Sequence, residues 1–220
     1  MKDSKYINSL EIESVIWDWN GTLLDDLEVN IKTVNEMLDK RGLLQLNMGT
    51  YKELFCFPVK RFQSLAGFDF EKETFEEIAI EYHATYKRYA DEISLNKDAL
   101  YVIDILCKRG AKQYILSAAM QDELVRMLDV YNIANEFNGI YGVSDFHAAG
   151  KIERGKQLME ENGLIPEKTL IIGDTLHDAE VAKELGVNYL LYSGGHNSYE
   201  LLSKSAPVIE SLMEVAKLVG

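Results

Sequence analysis

The chain has 220 residues, of which 47% are hydrophobic and only three are proline, a composition that excludes a disordered chain and suits an α/β domain with room for a smaller insert. Its 23 basic and 36 acidic side chains leave a formal charge of −13, which excludes a broad nucleic-acid interface. No stretch approaches the roughly 20 apolar residues of a membrane span, and residues 1–14 lack the apolar core of a secretory signal, so a cytoplasmic protein with no membrane partner is expected.

Residues 14–19, Ser-Val-Ile-Trp-Asp-Trp, read as a short apolar strand that delivers the carboxylate of Asp18, with Trp17 and Trp19 packing into the core. Gly21 and the Leu-Leu-Asp-Asp after it mark a tight turn out of the sheet. Over residues 27–44, Val29, Ile31, Val34, Met37, Leu38 and Leu43 recur at near-helical spacing, closing at Arg41-Gly42. Residues 50–92 carry more helix, punctuated by Pro58 and Gly67, and no strand alternation. So much helix between strands predicts an inserted helical domain over residues 26–96, within a core built from 1–25 and 97–220.

Beyond Lys97 the pattern alternates: helix 98–109, strand 113–117, helix 122–128, strand 139–143, helix 153–162, strand 169–172, helix 179–185 and strand 189–192. Single helices between strands predict a doubly wound, mostly parallel α/β sheet. Ligands of such sheets sit beyond the carboxyl ends of the strands, where Asp18, Ser117 and Asp174 fall. Cys56 and Cys107 have no partner motif and read as two buried, reduced thiols. The loop Gly194-Gly195-His196 carries no assigned role, and His177 reads as a supporting or surface residue of an acidic loop.

Taken singly, the polar candidates are weak. Asp18 before Asn-Gly-Thr suits an Asx turn, Ser117 a helix N-cap, and Lys151 an ordinary surface position. The Ala-Ala-Gly-Lys-Ile around Lys151 is also P-loop-like, but Asp145 stands where the first glycine belongs and Ile152 replaces Ser or Thr. Their order is the informative part. Asp18-Trp19-Asn20-Gly21-Thr22-Leu23 follows one strand, Ser117 caps a second, Lys151 follows a third, and Gly173-Asp174-Thr175-Leu176-His177-Asp178 follows a fourth.

In that order, over nearly the whole chain, these segments resemble the four-motif signature of the haloacid dehalogenase superfamily. The resemblance is strongest to phosphoglycolate-phosphatase-like members, whose helical cap lies between the first and second motifs. It implies a Mg²⁺-dependent phosphatase, monomeric or homodimeric, acting on a small phosphorylated metabolite. Asp18 would be the nucleophile. Asp18, the backbone carbonyl of Asn20, Asp174 and Asp178 would hold the metal, and Thr22, Ser117, Ala118 and Lys151 would meet the phosphoryl group. Lys60 and Arg61, just after Pro58, are candidate cap contacts to an anionic substrate; two solvated charges on a helix is an equal reading.

The chemistry is consistent with those residue types. A carboxylate nucleophile splits a very slow hydrolysis into two displacements through an aspartyl-phosphate. A dianionic substrate repels that carboxylate, so a hard, oxygen-binding cation and a lysine are needed beside it.

One position departs from the pattern. Most phosphatases of the family carry a second aspartate two residues after the nucleophile, which protonates the leaving alcohol and later activates water. Here it is Asn20, which exchanges no proton; losing such a group typically costs about 10²–10⁴ in rate. Three readings stay open: a phosphatase that manages the proton otherwise, a phosphonate or carbon–halogen hydrolase whose leaving group needs no acid, or a protein that binds a phosphorylated ligand without turnover.

Overall fold

The computed structural model describes residues 12–143 and 149–219; residues 1–11 of the N-terminal segment read above and Asp145 of the rejected P-loop lie outside them. In chain order, β1 (Ser14–Trp17) leads through β2 (Leu24–Asp25) into α1 (Leu27–Asp39), α2 (Met48–Leu54), α3 (Val59–Ala66) and α4 (Phe75–Arg88). The chain then returns through β3 (Ser94–Leu95) to α5 (Ala99–Lys108), β4 (Lys112–Met120), α6 (Gln121–Val130), β5 (Gly139–Val143) and α7 (Ala149–Glu161). It finishes with β6 (Thr169–Gly173), α8 (Leu176–Leu185), β7 (Asn188–Tyr192), α9 (Tyr199–Leu202) and β8 (Val208–Ile209).

Every residue of β1 and β6 is buried, which is why both read as unbroken apolar runs rather than alternating ones. They lie side by side in a six-stranded sheet of order β5-β4-β1-β6-β7-β8, parallel at each pairing. The period of two sorts its side chains onto two faces. Val15, Trp17, Ile115 and Ile172 join Val102 and Leu106 of α5 and Leu124 of α6 in one apolar cluster. Ile16, Tyr114 and Ile171 join Leu158 of α7 and Val181 of α8 in another. Each fully buried Leu, Ile or Val contributes about 1.5–3 kcal/mol relative to exposure.

The chain fills one side of β1 with β4 and β5, then crosses back to place β6, β7 and β8 on the other. That reversal opens a crevice at the carboxyl edge of β1. Trp17 is level with Ile115 of β4 and Ile172 of β6, so Asp18, Ser117 and Asp174 emerge there together. Asp18 keeps one ladder bond, its N–H donating to Ile172 O at 2.8 Å.

Helices α1 to α4 have an apolar cluster of their own, including Val34, Met37, Leu38, Tyr51, Phe62 and Ile78. On either side of them the chain passes through a two-residue antiparallel pair, Leu24 with Leu95 and Asp25 with Ser94. A Thr74–Glu77 capping box starts α4. Arg41 locks α4 to the end of α1: its guanidinium grips both oxygens of Glu73 (2.7 and 2.6 Å) and reaches Glu81 at 2.6 Å and Met37 O at 2.8 Å. Arg41→Ala is expected to lower stability by about 1–2 kcal/mol, read as a lower denaturant midpoint; an unchanged midpoint would show the network to be idle.

Several sequence expectations need adjustment. Helix α7 begins at Ala149, not at residue 153, so Lys151 lies in its first turn instead of a preceding loop. The polar, glycine-containing start of that helix hides it from an apolar-periodicity reading. Strand β4 runs on to Met120 past a register irregularity between Leu116 and Met120. The cysteines are not a buried pair: Cys56 is half-buried and Cys107 is exposed, with Gln113 donating to its sulfur at 3.1 Å. No described helix is long and apolar enough to cross a membrane.

Candidate active site

Asp18, Asp174 and Asp178 each offer a carboxylate oxygen, all within 4.8 Å of one another and all buried. Such a cluster needs a counter-charge, and Lys151 supplies one from the first turn of α7. Its Nζ donates to Asp18 Oδ1 and to Asp178 Oδ1, both at 2.7 Å. Asp178 is oriented from the other side by the capping box at the start of α8: Thr175 donates to its Oδ2 through N–H (2.9 Å) and hydroxyl (2.7 Å). Thr22 Oγ1 donates to Asp174 Oδ1 at 2.9 Å, and the backbone N–H of His196 to Oδ2 at 2.6 Å. Close approach of backbone makes this possible. Gly21 has φ +75°, and a side chain there would strike Asp174 and His196; one at Gly195 would strike Asp174 and the Gly21 carbonyl.

The electrostatics separate the three acids. Burial pushes Asp18 up to about 8, with Lys151 pulling against it and the carboxylates of Asp178 and Asp174 adding to it. Burial also lifts Asp174 to about 6, against the opposing charge of His196. Asp178 is likewise desolvated, but the charge and hydrogen bond of Lys151 and the bonds from Thr175 outweigh this and leave it below the usual carboxylate range. Without a metal, then, Asp178 carries the negative charge that pairs Lys151, while Asp18 tends to hold its proton. Replacing the lysine by Met is expected to cost about 3–5 kcal/mol, the usual consequence of stranding a buried charge. Thermal melts of Lys151→Met in chelator measure this, and a melt like that of the unmodified protein would mean the pair contributes nothing.

An all-oxygen donor set of buried carboxylates fits a hard divalent cation such as Mg²⁺ and disfavours softer metals. The donors present therefore fit the expected cofactor.

A second layer surrounds Asn20, and the sequence alone did not disclose it. Asp26, directly before α1, is buried and accepts from the Gly21 N–H (2.9 Å), Asn20 Nδ2 (2.8 Å), Asn30 Nδ2 (2.8 Å) and the Tyr86 hydroxyl (2.8 Å). His196 Nε2 lies 3.5 Å from its Oδ1, and His196 Nδ1 lies 3.1 Å from the Tyr51 hydroxyl. Burial pushes Asp26 up, but the contact with His196 and the bonds from Asn20 and Tyr86 hold it below the ordinary range. Burial pushes His196 down, and the carboxylates of Asp26, Asp174 and Asp18 more than reverse that. An ionised Asp26 only accepts, so the Asn20 amide must turn Nδ2 toward it. The loop after β7 is also pinned to α2: Asn197 Nδ2 donates to Phe55 O at 2.8 Å and Lys52 Nζ to Ser193 O at 3.1 Å.

A cavity of about 750 Å³ opens over this cluster, lined at its polar end by Asp18, Asn20, Ser117, Ala118, Lys151 and His196. Ser117 is buried and its Oγ accepts from the Ala119 N–H at 3.0 Å, which fixes the turn of β4 at the cavity floor. Three candidates stand apart from it. Thr22 is wholly buried, its hydroxyl spent on Asp174, so it supports a carboxylate instead of meeting a ligand. Lys60 and Arg61 are exposed, Lys60 lying 4.9 Å over the ring of Phe70, and α3 instead turns Val59, Phe62 and Gln63 into the cavity. The half-turn offset between these positions on a helix accounts for the misplacement. His177 is buried against the Phe57 ring at 4.8 Å, its Nδ1 3.1 Å from Glu180.

Comparison with known proteins agrees with this geometry. A family model described as haloacid dehalogenase-like hydrolase matches residues 15–192. A phosphoglycolate phosphatase of Aquifex aeolicus is 24% identical over 187 residues, 83% of this chain and 85% of that protein. A protein of Caldanaerobacter subterraneus named as a pyrophosphatase is 21% identical over 217 residues, 96% of each chain. A haloacid dehalogenase-like hydrolase structure from Streptococcus pneumoniae superposes with a TM-score of 0.82 at 22% identity, covering 96% of this chain and 99% of that one.

Proposed function

The chain belongs to the haloacid dehalogenase-like hydrolase family, and from its site we propose that it is a Mg²⁺-dependent phosphatase of small phosphorylated metabolites, working through an aspartyl-phosphate on Asp18. The observation that carries this reading is the trio of buried carboxylates within 4.8 Å of one another, bridged by Lys151, at the carboxyl edge of a parallel sheet. Held by Asp18, Asp174, Asp178 and the Asn20 carbonyl, Mg²⁺ would offset the carboxylates and the dianionic substrate, so that the two meet.

The chain's own residues then divide the work. An Asp18 oxygen attacks phosphorus in line with the departing oxygen. The Lys151 ammonium and the Ser117 hydroxyl, beside Ala118, bind phosphoryl oxygens and stabilise the charge that builds on them. Asp178 keeps Lys151 aimed, and Thr22 and the His196 N–H keep Asp174 aimed. Asn20 turns its Nδ2 to Asp26, which leaves its side-chain oxygen, Oδ1, to hold, but not deprotonate, the water of the second step, while its backbone carbonyl is kept for the metal. Residues 26–96 act as a cap over the site, and the chain works as a monomer or homodimer in the cytoplasm.

The test is turnover of p-nitrophenyl phosphate and acetyl phosphate with and without Mg²⁺, beside Asp18→Asn. Magnesium-dependent release of phosphate that disappears in the variant is expected. No turnover of any ester would sink the reading and turn attention to phosphonate cleavage, dehalogenation or ligand binding.

A further inference from the structure

A phosphoryl group fills only a small part of a 750 Å³ cavity. The remainder is walled by Phe57, Phe62 and Tyr82 on the side of α3 and α4, and by Met120, Met127 and Tyr131 on the side of α6. The aromatic side is a continuous patch, with Phe55 5.7 Å from Phe57 and 5.2 Å from Phe62, the spacing of interacting rings. Charge is scarce there. Of the basic residues lining the cavity other than Lys151, Lys87 and Arg126 are exposed at its rim. Of the polar groups further in, Asn30 and Tyr86 already donate to Asp26 and Tyr82 donates to Asn30, while Gln63 offers a buried, unpartnered Oε1, an acceptor that would not hold an anion. A carboxylate or second phosphate on the leaving group would give up water here and, beyond Lys151, meet no buried cation but His196 at the polar end, which Asp26 already pairs at 3.5 Å.

The missing proton donor is an independent observation. Asn20 has no proton to release, the neighbouring Asp26 already accepts from Gly21, Asn20, Asn30 and Tyr86, and His196 turns its two ring nitrogens to Asp26 and the Tyr51 hydroxyl instead of into the cavity. An alkoxide leaves poorly without a proton, whereas a phenolate is stable enough to leave on its own. Both observations select the same leaving group.

We propose that the substrate is an aryl phosphate, the monoester of a bulky apolar phenol whose ring fills the aromatic part of the cavity and which departs as the phenolate. This rests on the phosphatase reading. In the first step an Asp18 carboxylate oxygen bonds to phosphorus as the P–O(aryl) bond breaks; the electron pair leaves on the phenolate oxygen, which takes a proton from solvent. Water then adds to phosphorus, the bond to Asp18 breaks, and phosphate departs with the water's proton lost to solvent.

The experiment compares kcat/KM of the Mg²⁺-loaded protein on naphthyl, phenyl and cyclohexyl phosphates and on phosphoglycolate. Naphthyl phosphate is expected to exceed phenyl phosphate by about tenfold or more, through added apolar contact. Cyclohexyl phosphate, similar in bulk to phenyl but a far poorer leaving group, is expected on the order of 100-fold below it. Phe57→Ala should bring the naphthyl-to-phenyl ratio toward one; Met127→Ala serves if that variant fails to fold. Phosphoglycolate or cyclohexyl phosphate equalling naphthyl phosphate, in turnover that still needs Mg²⁺ and Asp18, would overturn the aryl assignment and leave the phosphatase standing. No turnover of any ester would remove both.

Discussion

Asp18→Asn is expected to abolish magnesium-dependent phosphate-ester turnover, by at least about 10⁴-fold, while making the metal-free protein more stable at neutral to alkaline pH. The first effect follows because an amide cannot form the covalent intermediate, and groups that act as a unit fail together when one is lost. The second follows from burial. Asp18 ionises near 3.8 when unfolded and near 8 in the folded, metal-free protein. Between those values the folded state holds a proton that the unfolded state has released, so stability falls as pH rises through that window. Asparagine removes this slope, and the protein exchanges activity for stability. Melting temperatures in chelator from about pH 5 to about pH 8 should fall for the unmodified protein and stay flatter for the variant. Adding Mg²⁺ should raise only the unmodified protein's melting temperature strongly, and increasingly with pH, since ligands must be deprotonated. Parallel pH slopes in the two proteins would mean that Asp18 is not desolvated as described.

Exchanging the residues at positions 20 and 26 should have the next largest effect. Asn20→Asp alone sets a carboxylate where an amide now donates to Asp26 at 2.8 Å. Two acids that close, one buried and one half-buried, resist ionising together, so they would share a proton and cost stability above about pH 5. Asp26→Asn in the same chain restores a donor–acceptor match with the direction reversed. The Tyr86 hydroxyl can turn to accept, and Asn30 keeps its 2.9 Å bond to the backbone carbonyl of residue 26. The double variant then has a proton-exchanging group beside the nucleophile. Turnover of an ester with a poor leaving group, such as cyclohexyl phosphate, is expected to rise by about 10²–10⁴, with little gain on p-nitrophenyl phosphate. A folded double variant that gains nothing on the alkyl ester would mean that the proton at position 20 does not limit the reaction.

The sheet was readable because its strands are short apolar runs separated by single helices, and because each central strand ends in a polar residue: Asp18 after β1, Asp174 after β6. Asp174 and Asp178 meet without sharing a helix: Asp174 lies before α8 begins at Leu176, and the capping box at that start turns Asp178 back so that both offer oxygens beside Asp18. The layer around Asn20 was not readable. Asp26 looked like the end of a turn, and its role depends on Tyr86, 60 residues away, and on a histidine from the loop after β7. His196 meets Asp174 through a backbone N–H, which carries no side-chain signature at all. Two-residue strands such as β2, β3 and β8 are too short for any alternation to register. Lys60 and Arg61 illustrate the converse error: the right kind of charge, on the wrong face of α3.

The most direct test of the central claim is acid quenching during turnover of p-nitrophenyl phosphate with Mg²⁺, followed by mass spectrometry of the peptide that carries Asp18. Because Asn20 cannot activate water, breakdown of the intermediate should be slow, and a product burst should accompany one phosphoryl group on Asp18, lost with hydroxylamine and absent without Mg²⁺. Turnover with no burst and no phosphoryl group on that peptide would contradict a covalent role for Asp18.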